Sequence, residues 1–486
     1  MSGFASTIYF PGLPYINSEL KTQAIATTLT AALYVLFMGF TPIVWASLSE
    51  ALEIRRSLLI TSMIVFGFSS LGAALVNNIW GLLVLRIIQA MGASAGLSIG
   101  GADCFPVEER GAAFGKFYFM SFIGPLIGPI LGGFLIVSPI TWRATFLFTF
   151  AFGLFIALAI FTLCPETYRD NKKWDLQLPV ISQNMFPRAQ TVVEETHQVD
   201  TCSSFISRTG SANGSSDKDN NLINTSTLIA DKEDDKTHQS PPLQTQENGK
   251  APLPKRMNPF AGMALLKHSF VLLAALTSGL SFGCMLAVEV LLPDLYEKNY
   301  GFNSWQTGLS YMGGGVGNVI GSALQSYLSD KLLLRARRRR GGAAVVEDRL
   351  SVNLWPASIV IILGTLVWGW SIELKLNYWV PIVAFGIQTF GMNQIMAATS
   401  AYIVDAVPGS GASATAAANL LRMVLACILT IAAEPLEAAV GPGWTCVLMA
   451  GLGFLGLICL IIIKIWGKKL RANSGYPDID FIQTEK

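Results

Sequence analysis

Long apolar blocks alternate with short polar breaks along most of this chain. A hydrocarbon core about 30 Å thick takes about 20 apolar helical residues to cross. Runs of that length fall at 24–48, 57–76, 80–104, 111–137, 143–164, 268–292, 306–329, 353–372, 378–404, 411–434 and 444–466, which predicts eleven membrane-spanning helices. A twelfth is predicted over residues 1–15, apolar but short: helix of that length reaches roughly 22 Å at 1.5 Å per residue. No basic residue precedes Lys21, so this segment is expected to be the outer part of a shortened helix 1 rather than a signal peptide.

Between 165 and 257 the apolar pattern stops. From 171 to 255, 20 of 85 residues are charged, against 46 of the other 401, and Ser, Thr, Asn and Gln are abundant. Such a segment cannot bury enough apolar surface to fold alone. It is predicted to be a disordered linker, either a plain tether or a regulatory segment with phosphosites. The expected organisation is a six-helix half over 1–164, the linker over 165–257, a second six-helix half over 258–467 and a tail over 468–486.

Lys and Arg set the orientation. Arg55, Arg56, Arg110, Lys331, Arg335, Arg337, Arg338, Arg339, Arg340 and Arg349 lie on one side, with Lys464, Lys468, Lys469 and Arg471 after the last span. The other side has about one basic residue per loop. The basic side is cytosolic, which places both termini and the linker in the cytosol.

Composition narrows the class. The chain is 52% hydrophobic and 14% charged, with 45 Gly and 28 Phe, well below the roughly 25% charge of soluble domains. This excludes a nucleic-acid binder, a disordered protein and a secreted disulfide scaffold. The seven cysteines (Cys104, Cys164, Cys202, Cys284, Cys427, Cys446, Cys459) form no metal-ligand spacing. No metal, no cofactor and no enzyme activity is expected, for want of a metal cluster or a nucleophile–base constellation.

The halves echo each other. Leu48-Ser49-Glu50 and Leu328-Ser329-Asp330 end corresponding helices before basic loops, and Asp103-x-x-Pro106 corresponds to Asp405-x-x-Pro408. Repeated membrane halves are the architecture of alternating-access transporters, with the site between them near midplane. Helix 5 carries Gly124, Gly128 and Gly132 at four-residue spacing, interleaved with Pro125 and Pro129, and helix 8 carries Gly313, Gly317 and Gly321. Such stripes let backbones approach closely, and the prolines can bend helix 5. The stripes suit either static packing or a sliding interface between halves.

These motifs resemble the major facilitator superfamily, most closely the fungal twelve-spanner drug:proton antiporters of the quinidine and multidrug resistance branch. The run Gly124-Pro125-x-x-Gly128-Pro129-x-x-Gly132-Gly133 matches that branch's antiporter motif, and Leu85-Arg86-Ile87-Ile88-Gln89-Ala90-Met91-Gly92 its helix-4 motif. Ser6-Thr7-Ile8-Tyr9-Phe10-Pro11 is similar to its helix 1, Pro165-Glu166-Thr167-Tyr168-Arg169 to its close of helix 6, and Tyr402-Ile403-Val404-Asp405 with Asn419 and Arg422 to its helix 10–11 region. The family's 2–3 loop, a cytosolic latch, is reduced here to an acid at Glu50 and the last arginine, Arg55.

Charges at membrane depth are costly and mark function by default. The resemblance implies proton handling by Arg86. A carboxyl away from bulk water can carry protons, which points to Glu289, because helices 1, 4, 7 and 10 line the cavity in this superfamily. Tyr9, Gln89, Gln388 and Asn393, with Phe282 and Phe385, are the expected cavity residues, a mixture suited to amphiphilic molecules. Glu50, Arg55, Arg56, Asp103, Asp405, Asn419, Arg422 and the glycine-proline stripe are expected to gate or brace the halves.

The expected protein is an all-α integral membrane transporter of the plasma membrane, a monomer exporting small organic compounds in exchange for protons, with the lipid bilayer as its surroundings. A non-transporting sensor, scaffold or decayed paralogue is the alternative, motivated by the reduced 2–3 loop and the short first span.

Overall fold

The computed structural model describes residues 1–52, 54–98, 110–165, 261–339, 346–350, 354–407 and 411–476. Nearly all of the expected linker, and Asp103, lie outside the described residues. Regular structure among the described residues is helical throughout. Among the described residues six helices are long and apolar enough to cross a bilayer, one of them covering two expected spans, and two shorter apolar helices join them.

The first span is α1 (Ser2–Thr7), a 3-10 turn at Phe10–Gly12, and α2 (Leu13–Leu20). It continues to Leu20, further than the apolar pattern predicts, because Pro14 sits in the first turn of α2, where a missing N–H costs no helical bond. It remains shorter than α3, which spans 29 residues over Ala24–Leu52. There follow α4 (Arg56–Leu75), α5 (Ile79–Ala93), α6 (Ala95–Ser98), α7 (Arg110–Ile136) and α8 (Arg143–Leu163). Asn78 caps α5 by accepting the Trp80 backbone N–H at 3.1 Å.

The second half begins with a 3-10 segment, Ala261–Lys267, and α9 (Ser269–Tyr300). Next come α10 (Ser304–Ser310), α11 (Met312–Arg339), a 3-10 turn at Val346–Leu350, α12 (Leu354–Glu373) and α13 (Trp379–Ala406). The eleventh and twelfth spans form one helical run, α14 (Gly411–Asn473), interrupted where Gly441 adopts φ 83° ahead of Pro442. A residue with a Cβ would be strained there. The basic stretch expected in the 8–9 loop is largely helical: Lys331, Arg335 and Arg337 to Arg339 extend α11.

The glycine stripes resolve into packing within each half. A Cβ on Gly132 would lie 1.7 Å from the Ile8 carbonyl oxygen, and one on Gly124 2.8 Å from the Phe4 nitrogen, so this face of α7 seats the first span. Likewise Gly313 and Gly317 of α11 abut the carbonyls of Ile382 and Gly386 on α13. The halves meet instead through Gly133 of α7 and Gly308 of α10, whose backbones leave no room for a methyl group, and through Gly39 of α3 beneath Met423 of α14.

Candidate functional site

The site is built around Arg86, which α5 carries inward about two turns from its start. The side chain is 1% exposed. Its Nη1 donates to the Ala5 carbonyl at 3.1 Å and to Gln89 Oε1 at 2.6 Å. Gln89 lies one helical turn on, so both point the same way; its amide donates to Ser70 Oγ of α4 at 2.7 Å. The guanidinium carbon lies 4.0 Å from the Tyr9 ring centroid and 4.1 Å from that of Tyr34, with Phe146 at 5.8 Å. Electron-rich ring faces offset part of the cost of burying this cation. No carboxylate forms an ion pair with it among the described residues, and its Nε and Nη2 make no hydrogen bond there. Tyr9 is held through a 3.3 Å contact between its hydroxyl and that of Thr30, and Tyr34 donates to the Ser2 carbonyl at 3.2 Å.

An aromatic path leaves this cage toward the second half. Tyr9 packs on Phe10 at 5.4 Å between centroids, Phe10 on Tyr311 at 6.5 Å, and Tyr311 edge-on to Phe385 at 6.3 Å. Tyr311 occupies the junction of α10 and α11, and its hydroxyl donates to the main-chain carbonyl of Glu289 at 2.7 Å. Glu289 itself is 6% exposed. The predicted Tyr9, Arg86, Gln89, Glu289 and Phe385 therefore lie along one continuous path.

The remaining candidates are placed differently. Gln388 on α13 is fully buried, and neither end of its amide has a hydrogen-bond partner among the described residues. Asn393 donates to the Asn318 carbonyl of α11 at 3.1 Å, which ties two helices of one half, and its Oδ1 has no hydrogen-bond partner among the described residues. Phe282 faces Arg422, whose guanidinium lies 5.9 Å from the ring and also bonds Asn419. Arg56 donates to the Phe161 carbonyl at the end of α8 and lies 5.4 Å from its ring. Asp405 is exposed near the end of α13. The side chain of Glu50, expected to gate or brace the halves, is not among those described.

Sequence reasoning missed Tyr34, Ser70, Thr30 and Tyr311, which are ordinary polar residues in apolar runs. It also missed Glu19, which accepts from Trp142 Nε1 at 2.6 Å and pairs with Arg143. That cluster joins the end of α2 to the start of α8. At the same end of the bundle, away from the basic loops, a crevice of about 30 Å³ is lined by Asn17, Thr28, Leu291, Asp294 and Glu434 among others. Thr28 crosses the halves there to Glu434. The named contacts between halves run from mid-helix to this end. A much larger groove, about 490 Å³ between α12 and α13, is lined only by apolar groups such as Leu363, Val367 and Val383. Those three side chains are exposed, as suits a surface against lipid.

The family model described as Major Facilitator Superfamily matches residues 1–430. The chain belongs to the Major Facilitator Superfamily. It is 30% identical to MFS transporter fsa7 of Fusarium sp. (strain FN080326), over 97% of this chain and 83% of that protein. It is 28% identical to MFS antiporter QDR3 of Candida albicans, over 98% of this chain and 77% of that protein. Among solved structures, a D-xylose-proton symporter superposes with a TM-score of 0.60 at 12% identity, over 94% of each chain, a likeness of fold. As a member of the Major Facilitator Superfamily this protein is a secondary transporter, and its buried Arg86 and Glu289 lie inside that fold.

Proposed function

We propose that this transporter exports small organic compounds across the plasma membrane in exchange for protons, as a monomer working by alternating access. The carrying observation is the pair of buried ionisable groups in opposite halves. Arg86 and Glu289 are 1% and 6% exposed, and neither is held in an ion pair among the described residues. A carboxyl without a fixed cationic partner can take up and release a proton without breaking a salt bridge. An ionisable group at membrane depth is costly to bury and so marks function by default. The relation to an antiporter from Candida albicans favours exchange.

In this reading Glu289 carries the proton. Arg86, fixed by Ala5 and Gln89, provides the positive field that favours the deprotonated carboxylate when the two approach. Gln388, with both amide atoms unspent, contacts substrate, and Tyr9, Gln89, Phe282, Phe385 and Asn393 complete the cavity. Residues 1–164 and 258–467 are the two rocking halves, 165–257 the cytosolic tether between them, and 468–486 a cytosolic tail. Arg55, Arg56 and Asp405 brace the cytosolic side, and Arg422 with Asn419 ties helices within the second half.

Everted vesicles test this directly. With an acidified interior, vesicles bearing the protein should accumulate an amphiphilic drug, and an uncoupler should abolish the accumulation. Accumulation indifferent to the uncoupler would remove proton coupling, and no accumulation across a broad panel of compounds would remove export. Deleting 171–250 should leave transport largely intact if that segment is a tether.

A further inference from the structure

Glu289 and Pro293 are four residues apart in α9, and Pro293 lies inside the helix. In a regular helix the carbonyl of residue 289 would accept the N–H of residue 293, and proline has none. A buried carbonyl left without a donor is costly. Here the missing donor comes from outside the helix: the Tyr311 hydroxyl, at 2.7 Å from the Glu289 oxygen. Tyr311 is 2% exposed, and its ring is wedged between Phe385 of its own half and Phe10 of the other. Phe10 reaches it because the first span breaks into a 3-10 turn at Phe10–Gly12.

We infer that Tyr311 is a positioning residue that locks α9 at its proline hinge, and that the lock holds only while Phe10 keeps the two halves together at the end away from the basic loops. When the halves part there, Phe10 withdraws, the Tyr311 ring gains freedom, and its hydroxyl leaves the Glu289 carbonyl. A proline hinge with an unpaired carbonyl then bends readily, and the turn that bends is the one bearing the Glu289 carboxyl. Opening of this end and reorientation of Glu289 become one event. The consequence for transport rests on Glu289 carrying the proton; the lock itself does not.

The test is a double-mutant cycle read by accessibility. A cysteine at Leu291, which lines the crevice at this end, serves as reporter in purified protein in nanodiscs. Its labelling by a polar maleimide is measured against protein without that cysteine. Tyr311→Phe keeps the ring and removes only the hydroxyl, so labelling should rise about fivefold, the worth of one ordinary hydrogen bond. Pro293→Ala restores a backbone N–H to the helix, so in that background Tyr311→Phe should change labelling less than twofold. A merely structural role for the tyrosine would not be relieved by a donor returned at residue 293. Equal effects in both backgrounds, or no effect in either, would overturn the lock. Should Tyr311→Phe alone not yield folded protein, recovery of folded protein by Pro293→Ala supports it and failure to recover overturns it. Because labelling needs neither substrate nor a proton gradient, these outcomes are separate from those of the vesicle experiment.

Discussion

Thr28 donates a short hydrogen bond to Glu434 from one half of this protein to the other, Oγ1 to Oε2 at 2.6 Å, across 406 residues of chain. Thr28 lies one turn into α3 and Glu434 about two turns before the break at Gly441 that ends the eleventh span. The bond sits beside the crevice formed with Asn17, Leu291 and Asp294. It is the polar counterpart of the apolar contact between Phe10 and Tyr311.

Thr28→Val keeps the shape of the side chain and removes the donor. A hydrogen bond to a charged group contributes about 1.5–3 kcal/mol when well buried, and less where Glu434 is partly exposed. The variant should favour the state open at this end, with labelling of a Leu291→Cys reporter raised a few-fold. Unchanged labelling would show that the bond carries no share of the closure.

Arg86 is tuned to an arginine. Its flat guanidinium stacks between Tyr9 and Tyr34 while still bonding Ala5 and Gln89. Lysine offers a compact charge that cannot stack or reach two acceptors in one plane. Arg86→Lys and Arg86→Ala should both reduce drug accumulation in everted vesicles by at least tenfold at normal protein levels. Wild-type transport in Arg86→Lys would mean that charge alone matters.

The seat of the first span tolerates no side chain at Gly132, where a Cβ would come within 1.7 Å of the Ile8 carbonyl. Overpacking a well-packed site costs about 1–3 kcal/mol. Gly132→Ala should therefore lower the melting temperature of the purified protein and its yield in membranes. Gly451→Ala is the control, since nothing lies within 4 Å of a Cβ there, and it should leave both unchanged.

Arg471 and Glu347 form a buried pair, Nε to Oε1 at 2.9 Å and Nη2 to Oε2 at 3.0 Å, that ties the end of α14 to the turn between α11 and α12. Removing one member strands the other, at a cost of about 3–5 kcal/mol. Arg471→Met should destabilise the protein strongly in thermal unfolding, and adding Glu347→Leu should recover much of the loss. A double variant as unstable as the single one would show that the pair is not held for its charge balance.

Much of this architecture was legible in one dimension. Hydrophobic length marked the spans, basic residues marked one side, and Gly124 to Gly133 with the Arg86 segment marked the family. Arg86 and Glu289 stood out because charge within an apolar run needs a reason. The partners did not stand out. Tyr34, Ser70 and Tyr311 read as any polar residues in membrane helices, and the glycine stripe of α7 gave no hint that it seats the first span rather than the other half.

The physical reason is that lipid is as apolar as the protein's interior. In a soluble helix one face is polar and one apolar, so the inward direction can be read from the period. Here lipid-facing Leu363 and Val383 and buried Phe385 and Val288 are alike in kind, and the pattern has length but no direction. The sequence by itself determined that the chain is a bundle of long apolar helices, which family it belongs to and which charges are exceptional. Only the tertiary structure decided which faces turn inward, and so brought the hydroxyl of Tyr311 to a carbonyl that Pro293 leaves without a donor.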